Sequence, residues 1–183
     1  MNIEEYQKQA YNRLNPIIAT SEKECRNYTC MGLMEEAGEV IAEIRKATFK
    51  GNFHEKKLDK ESIMKECGDV IWYLLLICRN NNIEVENEDG MELEKDQDRE
   101  KLIQEALKIG IQAPRIVEEY LNLSSGNGNK NSLRDMAQEL LNSIKQMLSY
   151  LGITLEEMLE TNISKAYSRY DKNGKAVQNL ENR

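Results

Sequence analysis

The sequence predicts an all-α fold, a bundle of amphipathic helices. Only two prolines interrupt 183 residues. Val is scarce while Leu, Glu, Lys, Asn and Ile are common, a balance that favours helix over strand. Apolar residues also recur at three- and four-residue spacing through most of the chain. The length suits one domain with a substantial core and is short for two ordinary ones.

Residues 3–14 form the first expected helix, with Ile3, Tyr6, Ala10 and Leu14 on one face and Asn15-Pro16 as its stop. A second helix starts within 21–30. Ser21 with Glu24 offers a capping box, and Arg26-Asn27-Tyr28-Thr29 offers a later start. Its apolar face is Leu33, Ala37, Val40, Ile44 and Ala47, with Glu36, Glu39 and Glu43 along the edge and Gly51-Asn52 at its end. After a polar loop at 50–61, Ser62 is expected to begin a third helix with the stripe Ile63, Cys67, Val70, Leu74 and Ile77, ending at Arg79-Asn80-Asn81-Asn82. The acidic stretch 84–100 reads as a loop running into a helix near Arg99. Residues 100–122 carry Leu102, Ala106, Ile109, Ala113, Ile116, Val117 and Tyr120 on one side, with a kink or break expected near Ala113 because Pro114 follows. Beyond the loop 124–129, Ser132 is a candidate cap for a helix through Met136, Leu140, Ile144, Met147 and Leu151, closed by Gly152. Thr154 with Glu157 caps a last helix carrying Leu155, Leu159, Ile163, Ala166 and Tyr170. The tail after Lys172 is polar and expected to fray.

A net charge of −7 argues against a non-specific nucleic-acid or anionic-membrane binder. The apolar run Val70–Cys78 is too short to span a bilayer. The N-terminus lacks the basic start and apolar stretch of a secretory signal. Cys25, Cys30, Cys67 and Cys78 show no CxxC spacing, and Cys67 and Cys78 fall in apolar helical pattern, as buried reduced thiols do. A cytoplasmic protein is the expectation.

Two acidic signatures stand out. Glu36-Ala37-Gly38-Glu39 and Glu66-Cys67-Gly68-Asp69 each place two carboxylates three positions apart, on one helix face with Cβ atoms about 5–6 Å apart. All four acids border the apolar stripes, where a carboxylate needs a cation or a hydrogen-bond donor to stay ionised. One such pair is ordinarily a solvated helix face. Two pairs, each with a glycine before its last acid, point to a metal site. A mid-helix glycine costs roughly 0.5–1 kcal/mol relative to alanine, a cost tolerated where a helix or ligand approaches closely. The donors are all oxygen, which suits Mg²⁺ first and Mn²⁺ second. His54 is the single histidine and sits in a polar loop, so zinc sites of the usual kind and di-iron Glu-x-x-His sites are disfavoured.

These signatures carry a family resemblance. Gly32-Leu33 through Glu36-Ala37-Gly38-Glu39-Val40, then Lys65-Glu66-Cys67-Gly68-Asp69-Val70-Ile71-Trp72-Tyr73-Leu74, resemble the two motifs of the MazG-like all-α nucleoside triphosphate pyrophosphohydrolases. Arg45-Lys46-Ala47, the stretch from Leu151 to Glu157, Asn162-Ile163-Ser164-Lys165, Arg169-Tyr170, and the N-terminal Tyr6-Gln7 and Asn15-Pro16 are similar too. The resemblance covers about residues 3–83 and 151–175, which it implies are a catalytic bundle. Residues 84–150 depart from the compact family pattern and read as a helical hairpin inserted before the last helix, all within one domain of 1–183. They are also candidates for a degenerate repeat. Residues 37–44 can be laid on 113–120, and 66–69 on 139–142, so that Gln112 and Arg115 replace Glu36 and Glu39 and Asn142 replaces Asp69.

The resemblance implies Mg²⁺-dependent cleavage of a nucleoside triphosphate between its α and β phosphates, giving a monophosphate and pyrophosphate. Glu36, Glu39, Glu66 and Asp69 would hold Mg²⁺ (or Mn²⁺), and Glu36 or Glu39 would orient or deprotonate the attacking water. Lys46, Lys165 and Arg169 are candidates for phosphate contacts, against ordinary surface charges. Asn162 falls on the inner stripe of the last helix and must find a partner there. By resemblance that partner would be the nucleotide's sugar or base. Trp72 and Tyr73 are candidates for stacking on a base, or simply core. The family assembles as dimers or tetramers, so a homodimer is expected, with no nucleic-acid or membrane partner. The alternatives are a non-catalytic nucleotide-binding or regulatory module, for which a ligand should be missing and none is, and a helical interaction protein whose acids are only solvated.

Overall fold

The computed structural model describes residues 1–18, 21–49, 58–87, 93 and 98–169, with the side chains of 12–18 and 169 outside the described set. Among the described residues all regular structure is helical, in six helices: α1 (Ile3–Ile18), α2 (Glu22–Thr48), α3 (Lys60–Asn80), α4 (Arg99–Ser124), α5 (Lys130–Leu151) and α6 (Leu155–Arg169).

Four of them close a bundle. α2 packs on α3 and α4, and α5 packs on the same two, while α1 and α6 lie together across α3. The apolar stripes meet as their spacing predicts. Leu33, Ala37, Val40 and Ile44 of α2, Cys67, Val70, Leu74 and Ile77 of α3, Leu102, Ile109 and Ile116 of α4, and Leu140, Ile144 and Met147 of α5 form one continuous core with Leu159 and Ile163 of α6. Residues from 84–150 therefore build this core jointly with the segments around them. Gly110 of α4 lets α2 come close, since a Cβ there would stand 2.4 Å from the Ile41 Cδ1.

The helix ends correct several expectations. Ser21 does cap α2, accepting from the Glu24 N–H at 3.2 Å. The cap of α3 is Asp59 and not Ser62. Its carboxylate accepts from the Ser62 N–H at 3.1 Å, so Ser62 lies one turn inside the helix. Likewise Asn129, and not Ser132, caps α5, accepting from the Asn131 and Ser132 N–H groups. α4 runs unbroken through Pro114, because packing of Ile116 and Tyr120 beyond it outweighs one lost backbone bond. α1 runs past Asn15-Pro16 to Ile18, where few backbone bonds remain for the proline to disturb. α5 ends as expected at Gly152, in the left-handed region at φ +71°, with the Lys60 ammonium bonded to the preceding Leu151 carbonyl. Thr154 caps α6, accepting from the Glu157 N–H at 3.1 Å.

All four cysteines are free. Burial pushes the Cys67 and Cys78 thiols up to about 12, so both are inert core groups. No helix among the described residues is long and apolar enough to cross a membrane. Gly51-Asn52, His54, Tyr170 and the polar tail lie outside the described residues.

Candidate metal centre

The α2–α3 pairing assembles the carboxylates. Ala37 and Val40 point into the core from α2, and Cys67 and Val70 from α3. Their sequence neighbours Glu36, Glu39, Glu66 and Asp69 therefore stand at the rim where the two helices meet. One carboxylate oxygen from each of Glu36, Glu39 and Glu66 lies within 4.8 Å of the other two, with Glu36 and Glu66 half-buried and Glu39 exposed.

Three like charges this close resist being ionised together. The Glu36 carboxyl is pushed up to about 8, first by burial and then by the charges of Asp69, Glu39 and Glu66, with Lys165 opposing. Glu66 is raised in the same way, by burial and then by Glu39. A divalent cation removes that conflict, and the donor set is all oxygen, as Mg²⁺ and Mn²⁺ require. The spacing is of the order of twice a metal–oxygen distance of about 2.1 Å. The residues fit a hard divalent cation.

Asp69 is held differently. α6 supplies a donor to each of its oxygens: the Asn162 Nδ2 amide to Oδ1 at 2.6 Å, and the Lys165 ammonium to Oδ2. Asn162 is buried, and its Oδ1 accepts from the Tyr6 hydroxyl of α1 at 2.6 Å. Gly68 makes room for it, since a Cβ there would sit 2.8 Å from the Asn162 Nδ2 and 2.9 Å from its Cβ. Asn162 thus has protein partners on both ends of its amide, where the resemblance implied a nucleotide. The close approach expected at Gly68 is α6 itself. At Gly38 an added Cβ would meet nothing within 4 Å, so that glycine faces open space beside Glu39.

The other candidates are spread around this centre. Lys46 is two turns beyond Glu39 on α2 and pairs with Glu43 at 2.7 Å. Tyr73 lies against Gly32, where a Cβ would stand 2.3 Å from the ring, and its hydroxyl bonds to that of Tyr28 at 3.2 Å. Burial, that bond and the nearby Glu36 and Asp69 raise its phenol. Trp72 meets Tyr6 edge to face, with centroids 6.2 Å apart. The side chain of Arg169 is outside the described residues. The sequence places Tyr6 on the apolar face of the first helix and within the resemblance, with no role at the site. A tyrosine in a fully buried stripe needs a partner for its hydroxyl, and that was the signal available in the sequence.

Fold and site together define an all-α bundle with a carboxylate cluster suited to a hard divalent cation. Residues 26–104 match the family model described as the MazG nucleotide pyrophosphohydrolase domain. The matched stretch holds all four carboxylates. No curated protein and no solved structure matches the chain significantly. Tyr6, Asn162 and Lys165 come from α1 and α6, outside the matched segment.

Proposed function

We propose that this chain is a Mg²⁺-dependent nucleoside triphosphate pyrophosphohydrolase that cleaves between the α and β phosphates. The observation that carries the reading is the convergence of Glu36, Glu39 and Glu66 within 4.8 Å, on two helices inside the segment that matches the MazG domain. These three with Asp69 would hold Mg²⁺, and Mn²⁺ would substitute. A cation bound there would draw in the triphosphate oxygens and offset charge as the transition state forms.

The chain's own groups supply the rest. Water adds to the α-phosphorus, the bond from it to the α–β bridging oxygen breaks, and pyrophosphate leaves. Glu36 or Glu39 takes the water's proton. Lys165 rests on Asp69 at the edge of the cluster and is the cation best placed to turn to a phosphate. Lys46 and Arg169 are further candidates for phosphate contacts, and Trp72 and Tyr73 for the nucleoside. We read the protein as cytoplasmic and without a nucleic-acid partner. We read it as a homodimer, supported by exposed apolar side chains on α2 (Met31) and α4 (Leu107, Ile111).

The test is a panel of canonical and modified nucleoside triphosphates with Mg²⁺, the products resolved by phosphorus NMR. Monophosphate and pyrophosphate in equal amounts are expected. Orthophosphate release, or no turnover of any triphosphate, overturns the reading. Nucleotide binding without turnover would favour the non-catalytic module.

A further inference from the structure

We propose that Tyr6, in the first helix, is a positioning residue for the metal centre. It fixes the amide of Asn162 so that its N–H groups, and not its oxygen, face Asp69. The proposal rests on the metal reading above and concerns residues outside the matched segment.

The orientation of Asn162 is set from both ends. Asp69 offers only acceptors when ionised, so the amide must turn Nδ2 toward it. That leaves Oδ1 pointing into the interior, where a lone acceptor would be costly. Tyr6 supplies the donor at 2.6 Å, from a side chain with no exposed surface. A flipped amide would set Oδ1 against the Asp69 carboxylate and leave the phenol proton without an acceptor. Gly68 closes the remaining direction, since Asn162 sits where a Cβ would be.

Tyr6 is itself fixed. Its ring packs edge-on against Trp72 of α3. α1 is tied to α3 by the Gln7 amide donating to the Leu75 carbonyl at 3.0 Å, and to α6 by the Tyr167 hydroxyl donating to the Gln9 side chain at 2.8 Å. The chain of bonds thus runs from α1 through α6 to α3 and ends on an Asp69 oxygen, with Lys165 holding the other. Both oxygens being engaged sets the carboxylate's plane beside Glu36. Bonds that orient a ligand in this way are worth about 10–100-fold in metal affinity when removed.

The experiment is Mn²⁺ titration, followed by calorimetry and by the electron paramagnetic resonance of free Mn²⁺, on wild type, Tyr6→Phe, Asn162→Leu and the double variant. Tyr6→Phe should keep the helical circular dichroism and weaken Mn²⁺ binding at least about tenfold. The double variant should bind no more weakly than Asn162→Leu alone, because Tyr6 acts only through Asn162. Wild-type affinity in Tyr6→Phe, or effects of the two changes that multiply, overturns the proposal while leaving the metal site standing. A wild-type chain with no saturable Mn²⁺ binding overturns the reading of the site itself, and the proposal with it. Should Tyr6→Phe fail to fold, 3-fluorotyrosine incorporated at position 6 keeps both ring and hydroxyl. Its fluorine resonance must then move on addition of Mg²⁺, and a resonance that stays fixed overturns the proposal.

Discussion

The bundle contains two helix pairs, α2–α3 and α4–α5, whose sequences align at 37–44 with 113–120 and at 66–69 with 139–142, and they differ at the positions that matter. Both bury a regular apolar stripe and both contribute to one core. On α2–α3 the rim positions are Glu36, Glu39, Glu66 and Asp69, and three of those carboxylates crowd within 4.8 Å. On α4–α5 the corresponding positions are Gln112, Arg115, Glu139 and Asn142. There Glu139 is the one acid of the four and Arg115 carries the opposite sign. Glu36 is pushed up to about 8 by burial and then by its neighbours' charges, whereas Gln112 keeps a buried oxygen without a hydrogen bond and no charge to relieve. At the third residue of the second signature, Gly68 admits Asn162, while its counterpart Leu141 is simply core. A packed pair of amphipathic helices can thus be a scaffold or a cation cradle. The difference is electrostatic stress that a cation, or a proton on Glu36, removes.

The sharpest way to break this contrast is a matched pair of substitutions. Glu66→Gln should lower triphosphate hydrolysis by about 100-fold or more, as expected when a group stabilising transition-state charge is lost. Glu139→Gln, its counterpart on exposed α5 surface, should leave the rate within about twofold, since it belongs to no carboxylate cluster among the described residues. Pyrophosphate release measures both, and circular dichroism checks that each variant keeps its helices. Equal losses in the two would show that the carboxylates act through folding alone.

Gly68→Ala tests the seat of Asn162. The added Cβ would stand 2.8–3.1 Å from three atoms of a buried side chain bonded at both ends. Overpacking of this kind costs about 1–3 kcal/mol. Chemical denaturation should report a loss in that range, with Mn²⁺ affinity falling as well. An unchanged midpoint would mean that α6 is free to shift.

A smaller effect follows from Glu36. Its carboxyl is raised above its ordinary 4.5 to about 8 in the fold. The folded chain therefore binds this proton more tightly than the unfolded one. The stability it contributes is complete below the unfolded value and is lost as pH rises toward 8. With divalent ions chelated, the melting temperature should decline by a few degrees between pH 5 and pH 8. Saturating Mg²⁺ should flatten the decline, and so should Glu36→Gln. A melting temperature independent of pH in the chelated protein would place the Glu36 titration elsewhere.

The sequence exposed whatever depends on local repetition. Three-residue spacing beside an apolar stripe is enough to put Glu36 with Glu39 and Glu66 with Asp69, because helical geometry does the placing. Helix ends were harder. Asp59 and Ser62, or Asn129 and Ser132, are both good caps three residues apart, and the outer one wins because each extra turn adds backbone bonds. The two prolines were overweighted, since one missing N–H does not stop a helix whose far side is packed. The partners of Asp69 were out of reach. Asn162 and Lys165 lie 93 and 96 positions away, and Tyr6 lies 156 from Asn162. Periodicity says which face of α1 and α6 turns inward, but not which side chain it meets there.

The smallest expected effect separates the two glycines that looked alike in sequence. Gly38→Ala should stabilise the metal-free fold by about 0.5–1 kcal/mol, because the new Cβ meets nothing within 4 Å and a helix interior prefers alanine. It is therefore opposite in sign to Gly68→Ala, although each glycine precedes a carboxylate of the same cluster. Packing does not explain glycine at position 38, which leaves the space beside Glu39 as its physical reason. If that space receives substrate, the stabilised variant should show a higher KM with its thermal midpoint raised. A raised midpoint with unaltered KM would mean that the open side of Glu39 is solvent only, and that triphosphate approaches the cluster from the α6 side, past Lys165.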